Sequence, residues 1–179
     1  MPPPQQPSLG AWAVLALLRE GETHGWALVR AMAPEGEIGR VWSIRRALVY
    51  RTIEVVIEAG LVEHAGVEQG TRGSPRTLLR LTPAGRQAVD RWLTEPVVHV
   101  RDLRSELLLK LLFAQRSGLD RAPLLRAQQT ILAETVAALE ARIAAGTPAE
   151  ITVRAFRLET ARAGTRFVEG ELARLTPSG

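Results

Sequence analysis

Arginine is the residue type in this sequence whose abundance and placement best suit a chemical role. Residues 40–86 contain eight arginines and four glutamates, so this stretch alone carries a net charge of +4. Guanidinium groups bind phosphate oxygens and guanine edges with two parallel hydrogen bonds. Many soluble proteins carry a similar surplus, and a biased genomic base composition also produces one. Charge alone therefore leaves a polyanion such as DNA as one candidate partner among others.

The sequence lacks the residue patterns of metal sites and of active sites. It has no cysteine, which excludes disulfides and thiolate ligands, and His24, His64 and His99 lie far apart. No carboxylate pairs with a candidate nucleophile, and no phosphate-binding loop is present. We therefore expect neither a metal, nor a cofactor, nor enzymatic activity.

The N-terminal region contains no membrane-spanning segment by sequence. The longest apolar run, Leu9–Leu18, is about half as long as a membrane-spanning helix, and no basic segment precedes it. Residues 1–7 are rich in proline and are expected to form a disordered arm. We expect a cytoplasmic protein without membrane association.

Four helices and two strands are predicted between residues 8 and 95, from capping residues and hydrophobic periodicity. The first three helices are one capped by Ser8, one from His24 to Met32, and one from about Ser43 to Ala59 with Gly60 in the capping position. The strands Leu61–Ala65 and Thr77–Leu81 follow on either side of a glycine-rich loop, and the fourth helix runs from Thr82 to about Leu93. This is the order of a winged helix-turn-helix, whose third helix enters the major groove of DNA. We predict a mainly α protein in which residues 8–95 form that domain.

The rest of the chain, residues 96–179, is predicted to be a helical dimerisation domain. Helices are expected from Arg101 to Gln115, from Asp120, and from Thr147, where Thr147-Pro148-Ala149-Glu150 forms a capping box. Apolar residues recur in the last two helices at heptad spacing, as in helices that pack along other helices. These are Leu125, Leu132, Val136, Leu139 and Ile143, then Ile151, Leu158 and Leu172 with Ala161, Val168 and Leu175. Such seams predict a homodimer.

Four segments of the sequence resemble the motifs of PadR-family transcriptional regulators, and they occur in the family's order. They are Leu15–Val29, which contains the step His24-Gly25-Trp26, then Val49–Ile53, Glu58–Val62 and Leu81–Arg86. The longer C-terminal helices are similar to the larger PadR subfamily. The resemblance implies a sequence-specific regulator that binds a pseudo-palindromic operator as a homodimer. Our leading hypothesis is a repressor, but the sequence does not distinguish repression from activation.

The sequence departs from the family pattern at two places. Arg45 and Arg46 stand where small residues or proline are usual, and Leu78-Leu79 replaces an aromatic residue in the second wing strand. The operator sequence of a relative therefore does not carry over to this chain.

The third helix and the wing hold the residues that we expect to contact DNA. They are Arg45, Arg46, Ala47, Tyr50, Arg51, Arg72 and Arg76. The arginines could instead be solvated helix residues, and Tyr50 could tuck its ring into the edge of the core. Ala47 is small enough to bring the helix near a thymine methyl group, and Arg72 could reach the minor groove or a phosphate.

Two tryptophans suggest a second kind of site. Trp12 and Trp92 lie on the first and fourth helices, which would be adjacent in a winged-helix dimer. They could be ordinary core or interface residues, or they could form a pocket for a small aromatic effector, as some regulators of the PadR type sense aromatic compounds. A different class of function also stays open, namely a protein-interaction adaptor whose winged helix no longer binds DNA.

Overall fold

The computed structural model describes residues 7–69, 75–145 and 147–175, and its contacts divide the chain into two units. The first unit comprises the chain up to Leu93 together with Leu108–Ser117, and the second comprises Thr94–Leu107 and the chain from Gly118 onward. Residues 108–117 therefore pack with the first unit, although they lie beyond the predicted domain boundary at residue 95. None of the helices in the described ranges is both long enough and apolar enough to cross a membrane.

The first unit is a winged helix-turn-helix, which confirms the predicted fold class. Its elements are α1 (Leu9–Glu20), β1 (Thr23–His24), α2 (Gly25–Met32), α3 (Arg46–Glu58), β2 (Val62–Glu68), β3 (Arg76–Leu81), α4 (Pro83–Thr94) and α5 (Leu108–Arg116). The three strands form an antiparallel sheet in the order β1-β3-β2. Both wing strands extend further into the loop than the alternation of residue types predicted, and the two-residue strand β1 was not predicted.

Helix α1 is buried over most of its surface. Ser8 caps it, since its hydroxyl accepts a hydrogen bond from the amide of Ala11 at 3.2 Å, and every residue from Ala13 to Leu18 is buried. Leu109 and Phe113 of α5 belong to the same buried cluster, so α5 of this chain covers part of α1.

An arginine at the end of α5 strengthens this attachment. The guanidinium of Arg116 binds Glu20 Oε2 at 2.6 Å and also pairs with Glu37. The hydrogen bond to Glu20 is the main cause that raises the pKa of Arg116 above its ordinary value. Because the group is partly buried, the pairs hold α5 in place better than fully exposed ion pairs do.

The Leu81–Arg86 motif has a structural explanation in the connection from the wing to α4. The hydroxyl of Thr82 donates to the carbonyl oxygen of Gly60 at 2.7 Å and accepts from the amide of Gly85 at 3.1 Å. A Cβ atom on Gly85 would lie 1.9 Å from the carbonyl oxygen of Leu61. Only glycine therefore permits this close approach of α4 to the start of the wing.

The second unit is a helical hairpin preceded by two short turns. A 3-10 turn (Val100–Asp102) and a π turn (Leu103–Leu107) lead up to α5, and the unit continues with α6 (Ala122–Ala144) and α7 (Pro148–Leu175). The single helix predicted from Arg101 is therefore wrong in its first two turns, because the chain there forms 3-10 and π geometry. The π turn is a local change in hydrogen bonding that hydrophobic periodicity does not report.

The heptad seams of α6 and α7 pack against each other. Buried positions on the two helices are Leu125, Leu132, Leu139, Leu158, Ala161 and Val168. A Cβ atom on Gly164 of α7 would lie 2.7 Å from the side chain of Leu103 in the π turn. The seams that we interpreted as surfaces for a second copy are thus largely used within one chain.

Candidate nucleic-acid interface

Helix α3 has a buried apolar face and an exposed basic face. Val49, Ile53 and Val56 are buried in the core of the first unit. The predicted contact residues of this segment are all exposed: Arg45, Arg46, Ala47, Tyr50 and Arg51. The helix therefore presents three guanidinium groups on the side that faces away from the core.

The helix begins at Arg46 with its N-terminal amides uncapped by any side chain. Arg45 is the capping residue, has extended backbone angles, and makes no side-chain capping bond. The first turn contains no acidic residue. Unsatisfied amides and the helix dipole together favour a negative group at such an end.

The guanidinium of Arg46 lies over two aromatic rings. Its central carbon is 5.4 Å from the ring centroid of Trp26 and 5.7 Å from that of Tyr50. Trp26 is 44% exposed and Tyr50 is 37% exposed. Cation–π contacts at exposed sites contribute about 0.5–1 kcal/mol, which is enough to favour one orientation of the Arg46 side chain.

The position of Tyr50 combines the two alternatives that the sequence left open. Its ring packs against the start of α2, where a Cβ atom on Gly25 would lie 2.9 Å from Tyr50 Cε1. More than a third of the residue nevertheless remains exposed. The glycine of the His-Gly-Trp step is therefore explained by the close approach of this ring.

The wing contributes Arg76, at the first position of β3. This side chain is exposed, and its Nη1 lies 3.1 Å from Nε2 of His24. Arg72, the other predicted wing contact, lies outside the described residues. The structure thus brings His24, Trp26, Arg46, Tyr50 and Arg76 to one side of the first unit.

The basic residues of the first unit differ in whether they already have acidic partners. Arg80 binds Glu63 at 2.7 Å and lies 3.8 Å from Glu22, and the hydrogen bond to Glu63 is the main cause that raises the pKa of Arg80. Arg45, Arg46 and Arg51 form no ion pair within the described part of the chain. Their charge is therefore available to a polyanion, whereas that of Arg80 is largely compensated.

The two tryptophans of the predicted effector pocket stack on each other. Their ring centroids are 5.4 Å apart with an angle of 6° between the planes, and Trp92 is buried. The ammonium of the buried residue Lys110 lies 5.2 Å from the Trp92 ring centroid. One face of each indole is thus occupied by the other indole.

Sequence reasoning did not identify Trp26 or His24 as members of this surface. Both belong to the His-Gly-Trp step, which we used only as a family signature. The available signal for Trp26 was an aromatic residue at the second position of a short helix. The proximity of His24 to Arg76 joins residues 52 positions apart and has no local sequence signal.

A three-helix core, an antiparallel wing and an exposed basic third helix define a DNA-binding domain of the winged helix-turn-helix class. Residues 14–91 match the model of the family described as "Transcriptional regulator PadR-like family". The matched residues include all four motifs that indicated this resemblance.

Proteins similar to this chain include one curated relative and the following two solved structures. The chain is 26% identical over 102 residues to "Negative transcriptional regulator PadR" of Bacillus subtilis (strain 168), a match that covers 57% of this chain and 54% of that protein. The matched region thus spans about half the length of that relative. Crystallised B. subtilis PadR in complex with operator DNA has a TM-score of 0.47 and 20% identity, covering 94% of this chain and 100% of that one. A PadR-like transcriptional regulator from Bacillus cereus has a TM-score of 0.43 and 19% identity, covering 97% and 99%.

Proposed function

We propose that this protein regulates transcription by inserting α3 into the major groove of duplex DNA. The observation that carries the proposal is the exposed face of α3. Arg45, Arg46 and Arg51 on this face have no acidic partner among the described residues, while the opposite face is buried in the core. A helix fixed in this way presents its side chains to base edges with little loss of conformational freedom.

The candidate residues have different roles in this proposal. Arg46 and Arg51 read base edges, and Ala47 allows the helix to approach them. Arg45, Arg76 and Arg72 bind phosphates, which fix the position of the domain but do not distinguish sequences. Tyr50 supports Arg46 and presents its exposed edge to the DNA.

We also propose that the functional protein is a homodimer that reads a pseudo-palindromic operator. The support comes from apolar residues left uncovered in the second unit: Val98, Val153 and Phe156 are 67%, 53% and 76% exposed. They border an open cavity of about 810 Å³. Because the seams of α6 and α7 are mostly used internally, a second copy covers this surface rather than the seams.

We base two further parts of the proposal, repression and release by an effector, on the B. subtilis relative and on the pair Trp12 and Trp92. The name of the B. subtilis relative describes negative regulation, and we extend repression to this chain. Release by a small planar aromatic effector requires that the Trp12–Trp92 stack opens or offers an outer face. A ligand that prefers a different dimer geometry then lowers DNA affinity by its differential affinity for the two geometries.

Selection from a pool of random duplexes, followed by footprinting, tests the DNA-binding role and defines the operator in the same experiment. We expect enriched sequences with two half-sites about one helical turn apart. Arg46→Ala and Arg51→Ala should each weaken binding to the selected site by about 1–3 kcal/mol. Arg126→Ala, which removes the same charge from an exposed position on α6, is the matched control.

The adaptor alternative makes the opposite prediction for the same experiment. If the folded protein enriches no sequence and does not retain duplex DNA at low salt, the DNA-binding proposal is wrong. Co-purification of a protein that depends on Phe156 would then favour an adaptor.

A further inference from the structure

His24 at the start of α2 uses one of its ring nitrogens to cap the helix. Its Nδ1 accepts a hydrogen bond from the amide of Ala27 at 3.1 Å, so His24 caps the helix. A nitrogen that accepts a hydrogen bond carries no proton, and neutral imidazole has one proton in total. For the neutral ring, this contact assigns the proton to Nε2, the nitrogen that does not cap the helix.

The atom that faces Nε2 is also a donor. Nη1 of Arg76 lies 3.1 Å away, and a guanidinium nitrogen donates hydrogen bonds but does not accept them. Two N–H groups thus converge without an acceptor between them. Moving the proton to Nδ1 would let Nε2 accept from Arg76, but it would remove the cap from α2.

The space beside this pair suits an oxyanion. A cleft of about 310 Å³ is lined by His24, Gly25, Trp26, Tyr50 and Arg76 together with three further residues, none of them acidic. An oxygen placed there accepts from both Nε2 and Arg76, which satisfies both donors at once. A singly charged phosphodiester oxygen matches one fixed positive charge and one neutral donor.

We propose that His24 and Arg76 together bind one backbone phosphate of duplex DNA. This inference rests on the proposed function. Tyr50 lines the cleft and also lies under the guanidinium of Arg46, so DNA seated on α3 brings its backbone to the cleft. His24 is thus a DNA-contacting residue as well as a helix cap, and its capping bond orients the donor toward the phosphate.

Two substitutions separate the donor from the cap and from the charge. His24→Ser keeps a side-chain oxygen that can cap α2 and removes the Nε2 donor. Arg76→Gln removes the positive charge. His64→Ser, the same exchange at an exposed histidine on β2, is the control for His24→Ser.

Because phosphate contacts do not depend on sequence, a random-sequence duplex serves as the probe in a fluorescence-anisotropy titration at several salt concentrations. His24→Ser should weaken binding about tenfold, the effect of losing one hydrogen bond to a charged group, with an unchanged salt slope because neutral imidazole displaces no counterion. Arg76→Gln should reduce the slope of log K against log salt by about 0.9. The double variant should lose less than the product of the two single effects.

The possible results are distinguishable. If the His24→Ser variant has the same melting temperature and the same affinity for duplex DNA as the unchanged protein, His24 is only a cap. This inference is then wrong, while the proposed function stands. If the unchanged protein binds no duplex, the proposed function is wrong and this inference with it. If inorganic phosphate shifts the His24 imidazole signals but His24→Ser leaves duplex affinity unchanged, the cleft is an adventitious anion site only, which also overturns the inference.

An NMR experiment on the free protein tests the underlying proton position. Multiple-bond ¹H–¹⁵N spectra of the imidazole should show His24 as the Nε2–H tautomer. The Nδ1–H tautomer would contradict the proposal before any DNA is added.

Discussion

The attachment of α5 to the first unit predicts a large effect for Phe113→Ala. Phe113 is 1% exposed and lies in the same buried cluster as α1. Replacing a buried phenylalanine by alanine costs about 3–5 kcal/mol, through lost burial and the cavity that remains. Since small domains unfold with about 5–15 kcal/mol, the first unit should lose a large part of its stability.

Tryptophan fluorescence is the appropriate assay because all four tryptophans, at positions 12, 26, 42 and 92, lie in the first unit. With a urea m-value of about 1–3 kcal/mol/M, the fluorescence midpoint should fall by about 1 M or more. The matched control is Phe167→Ala, at a residue of α7 that is 40% exposed, and its fluorescence midpoint should change by less than about 0.5 M. Equal midpoints for the Phe113 variant and the unchanged protein would refute the placement of α5 in this core.

Three further predictions concern other parts of the chain. Gly85→Ala should destabilise the protein by about 2 kcal/mol or more, because its Cβ meets a backbone oxygen at 1.9 Å. Gly170→Ala, in open space on α7, is the control and should be neutral or stabilise by up to about 1 kcal/mol. Thermal unfolding followed by circular dichroism compares the two variants, and equal effects would contradict the steric explanation. Phe156→Glu should yield a monomer in sedimentation at micromolar concentration while Phe156→Leu remains a dimer, and a dimeric Glu variant would place the interface elsewhere. Trp26→Leu should weaken binding to the selected operator by about 0.5–1 kcal/mol, because it removes the cation–π contact that orients Arg46. In an Arg46→Ala background it should therefore have no further effect. An additive effect would show that Trp26 acts independently of Arg46.

The α3 surface could be predicted from the sequence because it depends on local periodicity. Val49, Ile53 and Val56 recur at helical spacing, and this alone places Arg46 and Arg51 on the opposite side. The same reasoning identified the capping role of Ser8 and the start of α4, since both depend on residues within one turn.

Features that depend on contacts distant in sequence could not be predicted in this way. An apolar stripe shows that a helix has a buried side but not which element covers it. The leucines of α6 therefore indicated a partner helix without indicating that α7 of the same chain provides it. Likewise, no local pattern assigns Phe113 to the core around α1, or places His24 beside Arg76.

The course of the chain between the two units limits how such a regulator can be rearranged. The chain leaves the first unit after Leu93, returns at Leu108 and leaves again after Ser117. A single crossover between two related genes after Leu93 would therefore join one parent's α1 to the other parent's α5, and so mix two parental cores within the first unit. Chimeric regulators that exchange the second unit should instead retain residues 108–117 with the N-terminal parent, which requires three junctions. A single junction after Leu93 therefore exchanges the rest of the chain only where the two parents have compatible α5 residues.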